Sequence, residues 1–453
     1  MHSSIKQHLL TVLPLAALLL SACAGNNSYT IGGTVTGLAG SAGGGPLSSS
    51  SSLVLQDNGG DNLTISANGA FTFPTALTSN AYTSATYNVT ILTQPTGQTC
   101  TVTNGSGTAN GDVTSVLVNC ASGSTSVYVV NASANNVSQF TIGANGTLNT
   151  PVASSIATGY TPYAIAIAPS GLYAYVANNF NGAGGNNVSE YTINNAALTP
   201  NAISASVQAG THPVSVTIDP SGSYVYVLNA TSDNVSQYTI NSDGTLTPGS
   251  PIQTGTTPNS LALDPVGSYA YVANYGDGTI SEYNVSGGAL ALAATVPAPP
   301  AGNNAPASIA VDPTGQYVYV ADYASNTVSE YSIGTGGALT QTGSIAAGAN
   351  PISLTVSGSY VYVANFNANT SGTVGSVSEY SIGPSGALTL IGTVAAGVKP
   401  SSVAVAGSYA FVTNFGDGTI SQYTINSDGT LSANTTTPTV NVTGQPIAVI
   451  AAQ

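Results

Sequence analysis

Very few side chains in this sequence can do chemistry. After residue 23 the 453-residue chain holds one lysine (Lys399), one histidine (His212) and no arginine, against 16 acidic residues in all. His212 is therefore the one imidazole there able to act as a general base near neutral pH. Lys399 is the one ammonium able to meet an anion. The two share an address, since each directly precedes a proline, Pro213 and Pro400. They are the candidate ligand-binding pair, with His212 the candidate catalytic residue; the plain alternative is two exposed residues at a turn.

The other polar candidates read as structural. Glu190, Glu282, Glu330 and Glu379 occupy a Val/Ile-Ser-Glu/Gln-aromatic motif whose remaining copies carry Gln139, Gln237 and Gln422. Glutamine keeps the carbonyl acceptor without the charge, so this exchange points to a shared hydrogen-bond role rather than an acid–base pair. The loops 274–279 (NYGDGT) and 414–419 (NFGDGT) lack the spaced carboxylates and closing Glu of a calcium loop, and read as hairpin turns. No nucleophile motif stands beside a credible histidine partner, and neither clustered His nor Cys-x-x-Cys spacing is present. No metal and no cofactor are expected.

The elements that position these residues form an array of repeats. Pro-x-x-aliphatic begins at Pro162, Pro213, Pro258, Pro306, Pro351, Pro400 and Pro446. Aromatic-Val-x-Asn/Asp ends at Asn131, Asn178, Asn229, Asn274, Asp322, Asn365 and Asn414, spaced 47, 51, 45, 48, 43 and 49 residues apart. The Ser-Glu/Gln-aromatic motif completes each unit. All three alternate β-branched or aromatic residues with small or polar ones, the period of a strand. Asp219-Pro-Ser-Gly222 and its equivalents suit a turn between the first two strands, and Asn241-Ser-Asp-Gly244 a later hairpin. With a more variable fourth strand, the pattern is a propeller blade.

The first copy, from Val127, has no Pro-x-x-aliphatic before it, whereas residues 444–453 supply that motif with nothing after it. The C-terminal strand is therefore expected to complete the first blade and close a seven-bladed ring without free edges. The repeats resemble the YVTN/lactonase-type seven-bladed propeller family, whose enzymatic member is 6-phosphogluconolactonase; the resemblance covers about residues 126–453. In propellers of that type the strand after the blade proline lines the central channel. The resemblance thus implies that His212 and Lys399 ring one channel mouth, three blades apart, with Thr161, Thr257, Ala305, Asn350 and Gln445 at the equivalent positions. The family often carries Arg-His immediately after the blade proline. Here those positions hold Tyr163-Ala164, Val214-Ser215, Asn259-Ser260, Ala307-Ser308, Ile352-Ser353, Ser401-Ser402 and Ile447-Ala448. A phosphorylated substrate has no cationic clamp in any blade.

The N-terminal part reads differently. Residues 1–22 form a signal peptide, with Lys6, a 12-residue apolar run from Leu9 to Leu20, and a Leu-Ser-Ala-Cys tetrapeptide ending at Cys23. That tetrapeptide resembles the bacterial lipobox, which implies lipidation of Cys23, a tether over 23–28 and an exported lipoprotein of the outer membrane. Cys100 and Cys120 remain as the only other pair, for which a disulfide is the default in an exported chain. Short strand-like runs across 29–121 suggest a small Ig-like β-sandwich stapled by that pair, with a loop over the Gly/Ser tract 40–52. The expected fold is therefore all-β: a disulfide-stapled sandwich (29–121) followed by a seven-bladed propeller (122–453).

Composition bounds the partners. Charged residues make up 4% of the chain and the net charge is −14, which argues against nucleic acid or an anionic membrane surface. A surface built from Ser, Thr, Asn and Gly loses little when carboxylates protonate, so the fold is expected to persist in acid. The reading that follows is an envelope-anchored, non-enzymatic scaffold binding a protein or glycan, with the membrane met only through the N-terminal lipid. A lactonase-like hydrolase of an uncharged lactone, acting through His212, and a purely structural envelope component are the alternatives.

Overall fold

The computed structural model describes residues 27–36, 38, 53–79, 85–93, 98–122, 126–143, 145–149, 155–180, 185–194, 196–298, 305–367 and 372–452. Residues 1–26, with the signal segment and Cys23, and the whole of the tract 40–52 lie outside these, as does the joint 123–125. The chain divides into two units, Met1–Ser122 and Gly123–Gln453.

In the first unit two four-stranded sheets share one apolar core. One sheet contains Gly69–Thr72, Ile31–Thr36, Val113–Ser122 and Gln98–Thr103, and the other Asp61–Ile65, Leu53–Asp57, Ala85–Thr93 and Ser106–Ala109. Ile31, Val116 and Val118 from the first sheet meet Leu53, Leu55 and Val89 from the second. Alternate residues of each strand point inward, as the period-2 pattern requires. Asn27 and Ser28, assigned by sequence to the tether, instead sit in a short strand, Asn27–Tyr29, paired with Leu77–Ser79. Cys100 and Cys120 face each other across adjacent antiparallel strands and are joined.

The second unit is a ring of seven antiparallel blades, each running outward from a strand that begins at the blade proline. These innermost strands are Pro162–Ile167, Pro213–Ile218, Pro258–Leu263, Pro306–Val311, Pro351–Ser357, Pro400–Ala406 and Pro446–Ala452. We number the blades 1 to 7 in the order of their second strands, Ser126–Asn131 to Tyr409–Asn414. Pro446–Ala452 pairs with Ser126–Asn131, so chain end and array start share blade 1. That strand also packs against its neighbours in blades 7 and 2, which closes the ring. The fourth strand is continuous in blades 4, 5 and 6 (Ala289–Pro297, Leu339–Ala346 and Leu388–Val398) and broken into two short pieces in the others.

Seven apolar clusters hold the ring, each straddling two neighbouring blades. Fully buried tyrosines of the second strands sit between blades, and each spends its hydroxyl on the next blade. Tyr175 donates to Gly244 O (2.9 Å), Tyr271 to Gly337 O (2.8 Å) and Tyr319 to Gly386 O (2.8 Å). A buried phenol needs such a partner, and a carbonyl at a tight hairpin supplies one. Those hairpin glycines also lie flat on a tyrosine ring of the preceding blade. A Cβ on Gly386 (φ +78°) would sit 2.1 Å from the Tyr317 ring.

Candidate functional site

The face carrying the blade prolines also carries the hairpins between second and third strands, and its geometry starts with the residue before each proline. Proline disfavours the right-handed helical region for its predecessor. Here the chain turns through the left-handed region instead: Thr161, His212, Thr257, Ala305, Asn350 and Lys399 have φ between 48° and 55°. Two bonds hold this turn. The His212 N–H donates to Asn186 Oδ1 of the preceding blade (2.9 Å), as Thr161 does to Asn135, Thr257 to Asp233 and Asn350 to Asn326. The His212 carbonyl accepts from Ala230 N–H (2.8 Å), and the Lys399 carbonyl from Phe415 N–H (2.9 Å). The backbone is thus the same whether the residue is Ala, Thr, His or Lys, and only the side chain distinguishes the two candidates.

Inside this rim lies a cavity of about 360 Å³ lined by Tyr163, Asn259, Ile352, Ser401, Ile447, Phe366 and Phe415. The first five immediately follow a blade proline, in blades 2, 4, 6, 7 and 1. The equivalent Val214 and Ala307 are buried. One residue deeper, Ser260, Ser308, Ser353 and Ser402 each accept an N–H from the next innermost strand, at 3.1 to 3.3 Å. The innermost strands carry no charged residue. What the sequence identified as the place of a missing Arg-His motif is therefore a neutral pocket with a few amide and hydroxyl groups.

The rim is lopsided in a way the repeats did not reveal. The residue after the second-strand Asn or Asp is Ala132, Asn179 and Ala230 in blades 1–3, but Tyr275, Tyr323, Phe366 and Phe415 in blades 4–7. All four aromatics are half-buried, and Tyr275 and Tyr323 meet edge to face with centroids 6.0 Å apart. Burial pushes the Tyr163 phenol up, with the neighbouring Tyr275 adding to it; burial likewise raises Tyr275 and Tyr323. All three are neutral hydroxyls at physiological pH. The signal was present in sequence as an aromatic one residue past a strand end, but such a residue reads as ordinary apolar punctuation.

His212 and Lys399 take separate places on this rim, and neither lines the cavity. Lys399 Nζ stands 5.7 Å from the centroid of Phe366, which does line it. His212 Nδ1 lies 2.5 Å from Thr231 Oγ1 in the blade 3 hairpin.

The glutamates lie between blades, away from the mouth. Glu282 Oε1 accepts Leu339 N–H (3.1 Å) and Glu330 Oε1 accepts Leu388 N–H (3.0 Å), just as Gln139 and Gln422 accept Leu198 and Leu148 N–H (each 2.6 Å). Acid and amide do the same work between blades. Burial raises Glu282, Glu330 and Glu379, and takes Glu190 to about 7. The second-strand Asn pins its hairpin: Asn229 Nδ2 donates to Asn234 Oδ1 (2.8 Å) and Ser236 Oγ (2.9 Å). In blade 5 the position is Asp322, whose Oδ2 accepts from Ser329 Oγ at 2.6 Å. Asp277 and Asp417 accept Thr256 and Val398 N–H (both 2.8 Å), so their loops are hairpin clasps. Among the described residues no group of three His, Cys, Asp or Glu could hold a metal ion, and no helix is long and apolar enough to cross a membrane.

The family model for "Lactonase, 7-bladed beta-propeller" matches residues 81–373 and 333–447. Solved structures share the fold at low identity. A putative 6-phosphogluconolactonase from Bacteroides uniformis superposes with a TM-score of 0.63 at 19% identity, covering 72% of this chain and 99% of that one. A periplasmic gluconolactonase from Pseudomonas aeruginosa gives 0.61 at 19% identity, covering 73% and 99%. No curated protein matches the chain.

Proposed function

The chain belongs to the lactonase, 7-bladed β-propeller family, and from that premise we propose that it binds a glycan at the channel mouth and does not turn over a phosphorylated sugar lactone. One observation carries this reading: the cavity at the mouth pairs the aromatic rings of Tyr163, Phe366 and Phe415 with the neutral amide of Asn259 and hydroxyl of Ser401. Pockets that recognise small ligands are mostly apolar, with a few placed polar groups that set orientation. Such a pocket offers stacking faces and hydrogen bonds, but no bidentate cation for a phosphate. In the proposed setting the protein is an exported lipoprotein held through Cys23 at the outer membrane, presenting the propeller to an envelope glycan.

A second reading has one observation of its own. His212 and Thr231 stand at hydrogen-bond distance on the rim, and an imidazole there could activate water against an uncharged lactone. One experiment separates the two. The soluble Cys23→Ser mature chain and its His212→Ala and Phe415→Ala variants are assayed for lactone hydrolysis and for binding to a glycan array. The proposal expects glycan binding that Phe415→Ala weakens, with no turnover above His212→Ala. Turnover of any lactone that vanishes with His212 would make the protein an enzyme and overturn it.

A further inference from the structure

Lys399 is the one lysine or arginine after residue 23 in a chain with 16 acidic residues. Its one side-chain interaction among the described residues is with the Phe366 ring. Asp417, in the hairpin of the same blade and bonded to the residue before Lys399, has both oxygens engaged. Its Oδ2 accepts Val398 N–H (2.8 Å) and its Oδ1 the Thr419 hydroxyl (2.7 Å). The ring's negative face attracts the ammonium while leaving its N–H donors free. The ring that holds it is part of the cavity wall.

Resting on the glycan-binding reading above, we propose that the channel mouth selects a sugar acid: a polyhydroxylated ring carrying a single carboxylate, which meets Lys399. The aromatic arc of blades 4–7 offers faces for the sugar ring. Asn259 gives its amide N–H to Ala307 O (2.6 Å) and keeps its carbonyl oxygen for a ligand hydroxyl, beside the neutral Tyr163 phenol. Lys399 then supplies the one charge-assisted bond at the edge of the arc. A net charge of −14 repels anions at long range, but salt screens that field beyond about 8–10 Å, so contact with the ammonium decides the preference. One compact ammonium matches one carboxylate; a phosphate dianion would want the bidentate fork that the mouth lacks.

The test uses the soluble mature chain, with glucuronate and its uncharged isostere glucuronamide as probes, titrated by saturation-transfer NMR at about 0.15 M salt, where the long-range field is screened. Glucuronate should bind about tenfold or more tighter than glucuronamide, the range of a charge-assisted hydrogen bond. Lys399→Met, which keeps the stem, should erase that ratio by weakening glucuronate far more than glucuronamide, and Lys399→Arg should restore most of it. The fold tolerates such changes, because Thr161, Ala305 and Asn350 hold the same backbone conformation. Equal binding of the two probes by the unaltered chain, or a preference that survives Lys399→Met, overturns the sugar-acid assignment and leaves the glycan-binding mouth standing. Binding of neither probe, with the glycan array also blank, overturns both.

Discussion

Asp322 is the single acid at a position that six blades fill with asparagine, and replacing it by asparagine should reshape the pH dependence of stability. The side chain is fully buried; Ser329 and Thr327 hydroxyls donate to its Oδ2, at 2.6 and 3.4 Å, while its Oδ1 has no partner. Burial pushes its carboxyl from an ordinary 3.8 to about 7, the hydroxyl bonds offsetting this only in part; the Tyr331 phenol is raised by its own burial first and by Asp322 second. The protonated acid is therefore the form that fits. Because the folded value lies above the unfolded one, this group's contribution is fully present below about pH 4 and is lost as pH rises through about 7. A shift of roughly three units corresponds to about 4 kcal/mol at most. Asp322→Asn keeps a neutral group that donates to Ser329 as the other blades do. It should leave the urea midpoint at pH 4 nearly unchanged and raise it at pH 8 by an amount approaching about 4 kcal/mol at constant m. Circular dichroism titrations at the two pH values read this directly. A variant whose gain is the same at both, or absent at pH 8, would refute the argument that burial of an acid at an amide position governs this blade.

Two further perturbations probe other parts of the molecule. Gly386→Ala places a Cβ 2.1 Å from the Tyr317 ring at a φ of +78°; combining a left-handed penalty with overpacking, it should cost at least about 2 kcal/mol, seen as a lower thermal midpoint of the propeller. Replacing both Cys100 and Cys120 by alanine releases a crosslink of sequence separation 20 and should cost the N-terminal unit about 3 kcal/mol in the chain-entropy model. Hydrogen exchange should then rise in strands 98–103 and 113–122 of the full chain and stay unchanged in the blades.

The sequence alone determined the architecture of the propeller and its closure. Blade number, strand order and the pairing of residues 446–452 with the first blade follow from local, repeated patterns: a proline that opens a strand, an alternating run, a glycine turn. The single remaining cysteine pair and the acceptor role of the Glu/Gln position were legible for the same reason, since each is a property of residue type at a repeated address. At the mouth, sequence singled out His212 and Lys399 and marked seven post-proline positions as lacking Arg-His, but not the cavity wall between them. Ring closure decided the rest. Tyr275, Tyr323, Phe366 and Phe415 are separated by more than 40 residues at each step, and nothing local marks them as neighbours; they form an arc because successive blades bring the same strand end to the same mouth. Lys399 stands near Phe366 because the ring sets the turn that opens blade 7 beside the second-strand end of blade 6, a neighbourhood no local pattern announces. Asp322 differs from its six counterparts by one atom type, and only burial between packed blades turns that difference into a titration.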